Sequence, residues 1–251
     1  MSRFLAAALA FTFAFTVSAR DTRKELNVTL KFAPQEGVQS NSPDLAAGVT
    51  EKPIALLVED ARGGDAAVIG QGTNDDDATF PIRATSDVVP FIHETLKDVA
   101  TNWGVKIDDG ADRVLTIRLA RFTVDESNKA LGSVYEAEAR LAFVLSDKSG
   151  KKLAEGSGSG SATRYGRARS ADNCNEVLSD SLKEAFATVL SDSRLQDAWT
   201  TGRASSASSS STSAPAESVE ERLRKLDELL KKGLITKEEY DKKRAEILKD
   251  I

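Results

Sequence analysis

Few side chains in this 251-residue chain have the type and spacing that catalysis needs. His93 is the only histidine, and a Ser–His–Asp triad or a histidine metal site would depend on it. It lies between Ile92 and Leu96 of an apolar helical stripe, which favours a partly buried residue at a helix edge. The run Asp75–Asp77 lacks the glycine and the distal glutamate of an EF-hand and predicts a solvated loop. We therefore expect no catalytic site, metal site or cofactor.

The composition also limits the class of protein. Cys174 is the only cysteine, which excludes an internal disulfide and a thiolate zinc cage. It is expected in the first turn of a helix as a structural residue. Hydrophobic residues make up 40% of the chain and charged residues 29%, as in ordinary soluble globular proteins. The formal net charge of -5 argues against a basic nucleic-acid binder.

A basic cluster precedes the last predicted helix and comprises Arg164, Arg167 and Arg169. Guanidinium groups bind carboxylates and phosphates through paired hydrogen bonds, so these three are the candidate anion-binding residues. A lipid or glycan phosphate is the class of ligand that they suggest. The alternative is a solvated connection between two elements.

The N-terminal residues 1–19 have the pattern of a secretory signal peptide. Arg3 supplies the positive charge, an apolar stretch covers residues 4–17, and Ala19 ends a row of small residues that suits signal peptidase. The apolar stretch is shorter than the roughly 20 residues that span a bilayer. We expect cleavage near Ala19, export to the periplasm or the medium, and a mature chain without a transmembrane anchor.

Apolar patterning predicts five strands in a central domain over residues 24–198. They lie at 26–32, 53–59, 115–124, 135–145 and from 153 onward. The second is apolar throughout, which predicts burial on both faces. The third changes phase near Ala120, which predicts a bulge. The last carries Gly156, Gly158 and Gly160 at period two, so one of its faces is either slim or closely covered by another element.

Two helices are predicted in the same domain. The first follows Asp87, a candidate N-cap, and ends at Gly104. The second starts at Asn173, with Glu176 three positions later in a capping-box arrangement. Residues 65–84 contain glycines and an Asn–Asp run that predict an exposed loop. The order of elements predicts an α+β fold, with a mixed or antiparallel sheet and two helices on one face.

Four short segments of this domain carry a family resemblance. They are 58–62, 68–70, 111–115 and 191–192, which read VEDAR, VIG, ADRVL and SD. With these segments the domain resembles the YajG-like envelope lipoprotein family. The resemblance implies an envelope protein and offers no catalytic residues to carry over. Members of that family usually have a lipidated cysteine after the signal peptide, and no cysteine lies near Ala19 in this chain.

The C-terminal part consists of a predicted linker and a predicted helical hairpin. Residues 199–218 are serine-rich and predict a flexible linker with a reach of roughly 25 Å. Residues 219–251 contain two amphipathic helical stretches separated by Gly233. Their candidate docking residues are Val219, Leu223, Leu226, Leu230, Ile235, Tyr240, Ile247 and Leu248. This segment resembles the SHOCT family, a short C-terminal two-helix module, which implies oligomerisation or docking.

A hairpin of this size needs a partner, because fewer than about 40 residues rarely fold alone without a disulfide or a metal. Three partners stay open: a second copy of the chain, another envelope protein, or the hairpin's own central domain. The balance of acidic and basic residues argues against nucleic acid and anionic membranes. We predict a non-enzymatic periplasmic binding or scaffold protein. The alternative is a protein that binds a small ligand, lipid or glycan through residues 164–169.

Overall fold

The computed structural model describes residues 24–35, 42–129, 132–166 and 170–204, together with Lys237, Tyr240 and Arg244. The chain divides into two compact units, Met1–Ser205 and Ser206–Ile251. The predicted signal peptide lies outside the described residues, as do most of the predicted linker and of the predicted hairpin. The three described residues of the second unit are helical. Everything below concerns the first unit.

Seven strands form one mixed sheet in this unit. They are β1 (Leu26–Val28), β2 (Ala55–Asp60), β3 (Val68–Thr73), β4 (Thr79–Ala84), β5 (Arg113–Lys129), β6 (Gly132–Asp147) and β7 (Lys152–Gly166). The order across the sheet is β1-β4-β3-β5-β6-β7, and β2 also pairs with β5. The β5–β6, β6–β7 and β3–β4 pairs are antiparallel, and the pairs β1–β4, β2–β5 and β3–β5 are parallel. The predicted α+β class with a mixed sheet is confirmed.

Strand β5 is the template on which two shorter strands lie end to end. Its first half pairs with β2 as far as Leu119, and its second half pairs with β3 from Val124 onward. The register with β6 shifts between Leu119 and Arg121, so the predicted bulge at Ala120 is confirmed. The bulge therefore lies between the part of β5 that holds β2 and the part that holds β3.

Two predictions about the N-terminal half are wrong. Strand β2 is not buried on both faces, because Leu57 on its outer face is 53% exposed. Residues 65–84 are not a loop but mostly the β3–β4 hairpin, with a turn at Asn74–Asp77. The hairpin was missed because its strands are short and glycine-containing, and their stability comes from pairing with β5 and β1.

Three helices pack against the inner face of the sheet and share one apolar core with it. They are α1 (Val88–Asn102), α2 (Ala171–Leu190) and α3 (Ser193–Thr201). The predicted boundaries of α1 are confirmed, with Asp87 at its N-cap and Gly104 beyond its end at φ +82°. The predicted capping box of α2 is wrong, because Ser170 is the N-cap and accepts a hydrogen bond from the Asn173 amide.

Helix α3 was not predicted and extends the ordered domain past residue 198. Asp192 caps it by accepting hydrogen bonds from the Arg194 and Leu195 amides. Trp199 is fully buried and donates its indole N–H to the Lys52 carbonyl at 3.1 Å. The helix thus fixes the segment that enters β2. Its nine residues are too few to show a clear apolar period in the sequence.

The bare face of β7 is the surface on which α2 lies. A Cβ atom added to Gly158 would meet the Ala185 carbonyl oxygen at 2.5 Å, and one added to Gly160 would meet the Ser181 carbonyl oxygen at 2.3 Å. The backbones of strand and helix therefore approach too closely for any side chain to lie between them. The sequence predicted either a slim face or a face closely covered by another element, and the close coverage is confirmed.

Helix α2 also satisfies both edges of the sheet with polar side chains. On β7, the Ser161 amide donates to Glu184 Oε2 at 2.7 Å, and Thr188 Oγ1 donates to the Ser159 carbonyl. On the opposite side, residues 29–35 continue from β1 as an extended segment, which we call the strap, and they also bond to α2. Edge strands with unpaired backbone groups promote aggregation, and here one helix covers parts of two edges.

The close approach of α2 and β7 predicts a sharp difference between glycines. Replacing Gly158 or Gly160 by alanine should lower the free energy of unfolding by about 1–3 kcal/mol, because the methyl group collides with helix backbone. Gly63→Ala is the matched control, since a Cβ there meets nothing within 4 Å. Urea unfolding of the chain that begins at Arg20 measures all three variants. Equal stability of the Gly158→Ala and Gly63→Ala variants would contradict the packing described.

Candidate functional site

Arg164 lies at a cleft between the strap and the end of β7. It stands on the inner face of β7, opposite Tyr135 of β6, and forms an ion pair with Glu176 of α2. The cleft measures about 690 Å³. Its lining residues are Ala33, Pro34, Gln35, Thr163, Arg164, Tyr165 and Glu176. Arg167 and Arg169 lie outside the described residues, so the three-arginine site stays a prediction.

The charges around this cleft are mixed. Glu176 neutralises Arg164 directly, and Asp180, one turn further along α2, is also within electrostatic range of Arg164. Burial raises the pKa of Asp180, although hydrogen bonds from Gln35 act in the opposite direction. An anion entering the cleft would therefore compete with Glu176 for the Arg164 guanidinium. The glycine face of β7 adds no room for a ligand, because α2 covers it.

A row of polar side chains on α2 holds the strap in place. The amides of Lys31, Ala33 and Gln35 donate to Asn175 Oδ1, Ser179 Oγ and Asp180 Oδ1, at 3.2, 2.9 and 3.3 Å. Asn175 also donates to the Thr29 carbonyl at 3.1 Å. Alternate strap amides thus bond to helix side chains instead of to another strand. All three acceptors are buried, and sequence reasoning missed them because they lie beside the apolar stripe of α2.

A second cluster of buried polar side chains surrounds the carboxylate of Glu126. Its side chain is 1% exposed and accepts hydrogen bonds from Ser133 Oγ at 2.9 Å and from Tyr135 Oη at 3.2 Å. Burial raises the pKa of Tyr135, whose hydroxyl also accepts a bond from the Ser170 amide. The cluster thereby joins β5, β6 and the cap of α2. Glu126 continues the inward-facing phase of Phe122 and Val124, a signal that could have identified it.

The remaining sequence candidates have structural surroundings. The ring nitrogens of His93 contact the Leu56 carbonyl and Glu94 Oε1, at 3.2 and 3.1 Å. Asp76 and Asp77 lie in the β3–β4 turn, where Asp76 accepts a bond from the Ala78 amide. Cys174 is fully buried in α2. Across the described ranges, no cluster of three or more histidine, cysteine or carboxylate side chains is arranged to hold a metal ion.

Asp60 and Arg62 hold the connection between β2 and β3. The guanidinium donates to both Asp60 oxygens, at 2.9 and 2.8 Å, and to the Ala66 carbonyl. This hydrogen-bonded guanidinium lowers the pKa of Asp60. Gly70, where β3 starts its pairing with β5, has no room for a side chain, since a Cβ would lie 1.8 Å from the Val124 carbonyl oxygen. These motif residues therefore shape the sheet around the bulge.

Two known families match separate stretches of this chain. Residues 39–199 match the profile of a family described as "Uncharacterized lipoprotein". The chain belongs to this family. Residues 221–248 match the short C-terminal domain SHOCT. Both resemblances seen in the sequence are thus confirmed, and the chain matches no curated protein.

Several solved structures are similar to this chain. A DUF330 protein from Xanthomonas campestris is 11% identical, with a TM-score of 0.43 over 70% of this chain and 97% of that one. A minor lipoprotein from Acinetobacter baumannii is 11% identical, with a TM-score of 0.30 over 60% and 92%. The PelC dodecamer from Paraburkholderia phytofirmans is 16% identical, with a TM-score of 0.27 over 58% and 94%. In the part of this chain that the structure describes, no helix is long and apolar enough to cross a membrane.

The opposite pKa shifts of Asp180 and Asp60 predict opposite effects of pH on two variants. The raised pKa of Asp180 means that the folded wild type loses stability as pH rises through that pKa, and Asp180→Asn removes this loss. The stability of Asp180→Asn relative to wild type should therefore improve between pH 3 and pH 7. The lowered pKa of Asp60 stabilises the fold above the ordinary value near 4, so Asp60→Asn should become relatively worse over the same range.

Urea unfolding at several pH values measures both differences. Each variant is compared with wild type at the same pH, which cancels the contribution of all other titrating groups. If the stability difference from wild type changed with pH in the same direction for both variants, the environments assigned to Asp60 and Asp180 would be contradicted.

Proposed function

We propose that this lipoprotein-family member is a non-enzymatic scaffold of the bacterial envelope, in which C-terminal hairpins join copies of the chain. The observation that carries the proposal is the SHOCT match at 221–248, within a unit separate from the sheet domain. Export with cleavage near Ala19 belongs to the same proposal, on the strength of the signal-peptide pattern of residues 1–19.

The apolar spacing of the tail supports association with another copy. Val219, Leu223, Leu226 and Leu230 are spaced four, three and four residues apart, as in a coiled-coil seam. Acidic residues precede basic residues by four positions at several points, for example Glu221 with Lys225, and such pairs support helix formation. A seam on so short a hairpin buries too little apolar surface by itself. Pairing with an identical seam is the simplest way to cover it.

The serine-rich linker lets this association raise the avidity of the sheet domains for a target. A flexible linker of this length lets hairpins meet without fixing the orientation of the domains that they carry. Several weak domain–target contacts can then act together, and avidity rises without any new contact. Docking of the hairpin on another envelope protein is the alternative within the same proposal.

Light scattering on the mature full-length chain tests the association. Wild type should have a mass that is a multiple of the monomer at micromolar concentration, and Leu226→Ser with Leu230→Ser should reduce it to the monomer by breaking the seam. Lys225→Ser with Lys232→Ser is the matched control, because it introduces two serines into the same predicted helix but off the seam. A monomeric wild type, or equal masses of the two variants, would refute assembly through the hairpin.

A second candidate function is favoured by the cleft beside Arg164. We propose a lipid- or glycan-phosphate ligand, which would displace Glu176 and bind Arg164 together with Arg167 and Arg169. Binding of inorganic phosphate and of phosphatidylglycerol vesicles, measured by calorimetry, should disappear when all three arginines are replaced by glutamine. Glu176→Gln should instead strengthen binding by freeing Arg164. No heat with wild type or with Glu176→Gln would rule this function out.

A further inference from the structure

A groove between the strap and α1 combines an apolar floor with an acidic rim. It measures about 470 Å³ and is separate from the cleft beside Arg164. Its floor consists of Leu30, Phe32, Pro90 and Phe91. Its rim carries the carboxylates of Asp87, Glu94 and Asp98. No residue of the family segments 58–62 and 68–70 lines this groove.

The floor holds an aromatic ring in a fixed, accessible position. Phe32 is 37% exposed, although apolar side chains of this size are normally buried in a core. The strap on which it stands is held on both sides, because the Leu30 amide donates to Ser86 Oγ and the Lys31 amide donates to Asn175 Oδ1. The exposed ring is therefore presented by an ordered backbone.

Carboxylates outnumber basic side chains among the residues that line the groove. The Asp87 side chain makes no capping hydrogen bond to α1. Glu94 Oε1 lies 3.1 Å from Nδ1 of the His93 ring. The basic side chain among the groove's lining residues is Lys31, which already forms an ion pair with Asp172 at 2.6 Å. Three exposed carboxylates thus border the apolar floor, and an occupant must bring positive charge to match them.

We infer that this groove docks a segment of a partner protein in which apolar side chains are flanked by lysine or arginine. Apolar residues of the segment would cover Phe32 and Phe91, and its cations would face the three rim carboxylates. A cation above an exposed phenylalanine ring gains further attraction from the ring face. The same carboxylates repel phosphate, which disfavours nucleic acid and anionic lipid as occupants.

Fluorescence anisotropy of two labelled peptides on the mature full-length chain tests the inference. One probe is an amphipathic helix of leucine and lysine, and the other has the same leucines with glutamate. The lysine peptide should bind and the glutamate peptide should not. Glu94→Lys with Asp98→Lys should weaken binding about tenfold, because two attractions become repulsions. Asp109→Lys with Asp197→Lys makes the same change in net charge outside the groove and should weaken binding less than about threefold.

Phe32→Ala tests the apolar floor independently of charge. It should also weaken binding about tenfold with little change in melting temperature, because the ring is partly exposed. Equal affinity of the two charge-reversed variants, or full affinity of Phe32→Ala, would overturn the inference. None of these substitutions lies within residues 219–251, so the light-scattering masses should stay as in wild type and failure of the groove is distinguishable from failure of the scaffold.

Discussion

The contact between the backbone of α2 and the glycines of β7 is the constraint on which the domain depends. Because Gly158 and Gly160 carry no Cβ, the helix lies close to the sheet, and its polar side chains reach the backbone of β7 on one side and of the strap on the other. An added Cβ at either glycine would push this helix away from the sheet. The same close contact therefore packs α2 on the sheet and brings its polar side chains to the sheet edges.

This protection of the sheet edge explains why α2 has polar residues at buried positions, which an ordinary amphipathic helix fills with apolar ones. Asn175, Ser179 and Asp180 are buried, yet each accepts a bond from a strap amide. Buried polar groups are tolerated when they are hydrogen-bonded, and here the donors are backbone amides that pair with no strand among the described residues. The domain has thus replaced part of a strand ladder with helix side chains.

The sequence was informative where a strand is long and its period regular. The alternation in β6, the phase change at Ala120 and the glycine period of β7 all predicted features that the structure contains. The β3–β4 hairpin could not be found in this way, since its pairing depends on strands distant in the chain. Ser170 as the cap of α2 was missed because Asn173 and Glu176 have the spacing of a capping box. For the candidate site, Arg164 could be singled out by charge, but its pairing with Glu176 is set by tertiary register.

The parallel pairs have a consequence for the order in which the chain can fold. Leu26 pairs with Ile82, and Ala55 pairs with Val114, so the first strands to be synthesised have no partners until much later residues appear. The β5–β6–β7 meander, by contrast, is built from neighbouring segments and can form early. Long-range contacts slow folding. β1 and β2 must therefore stay unpaired while later segments are added, and the described domain cannot close until α2 follows its strands.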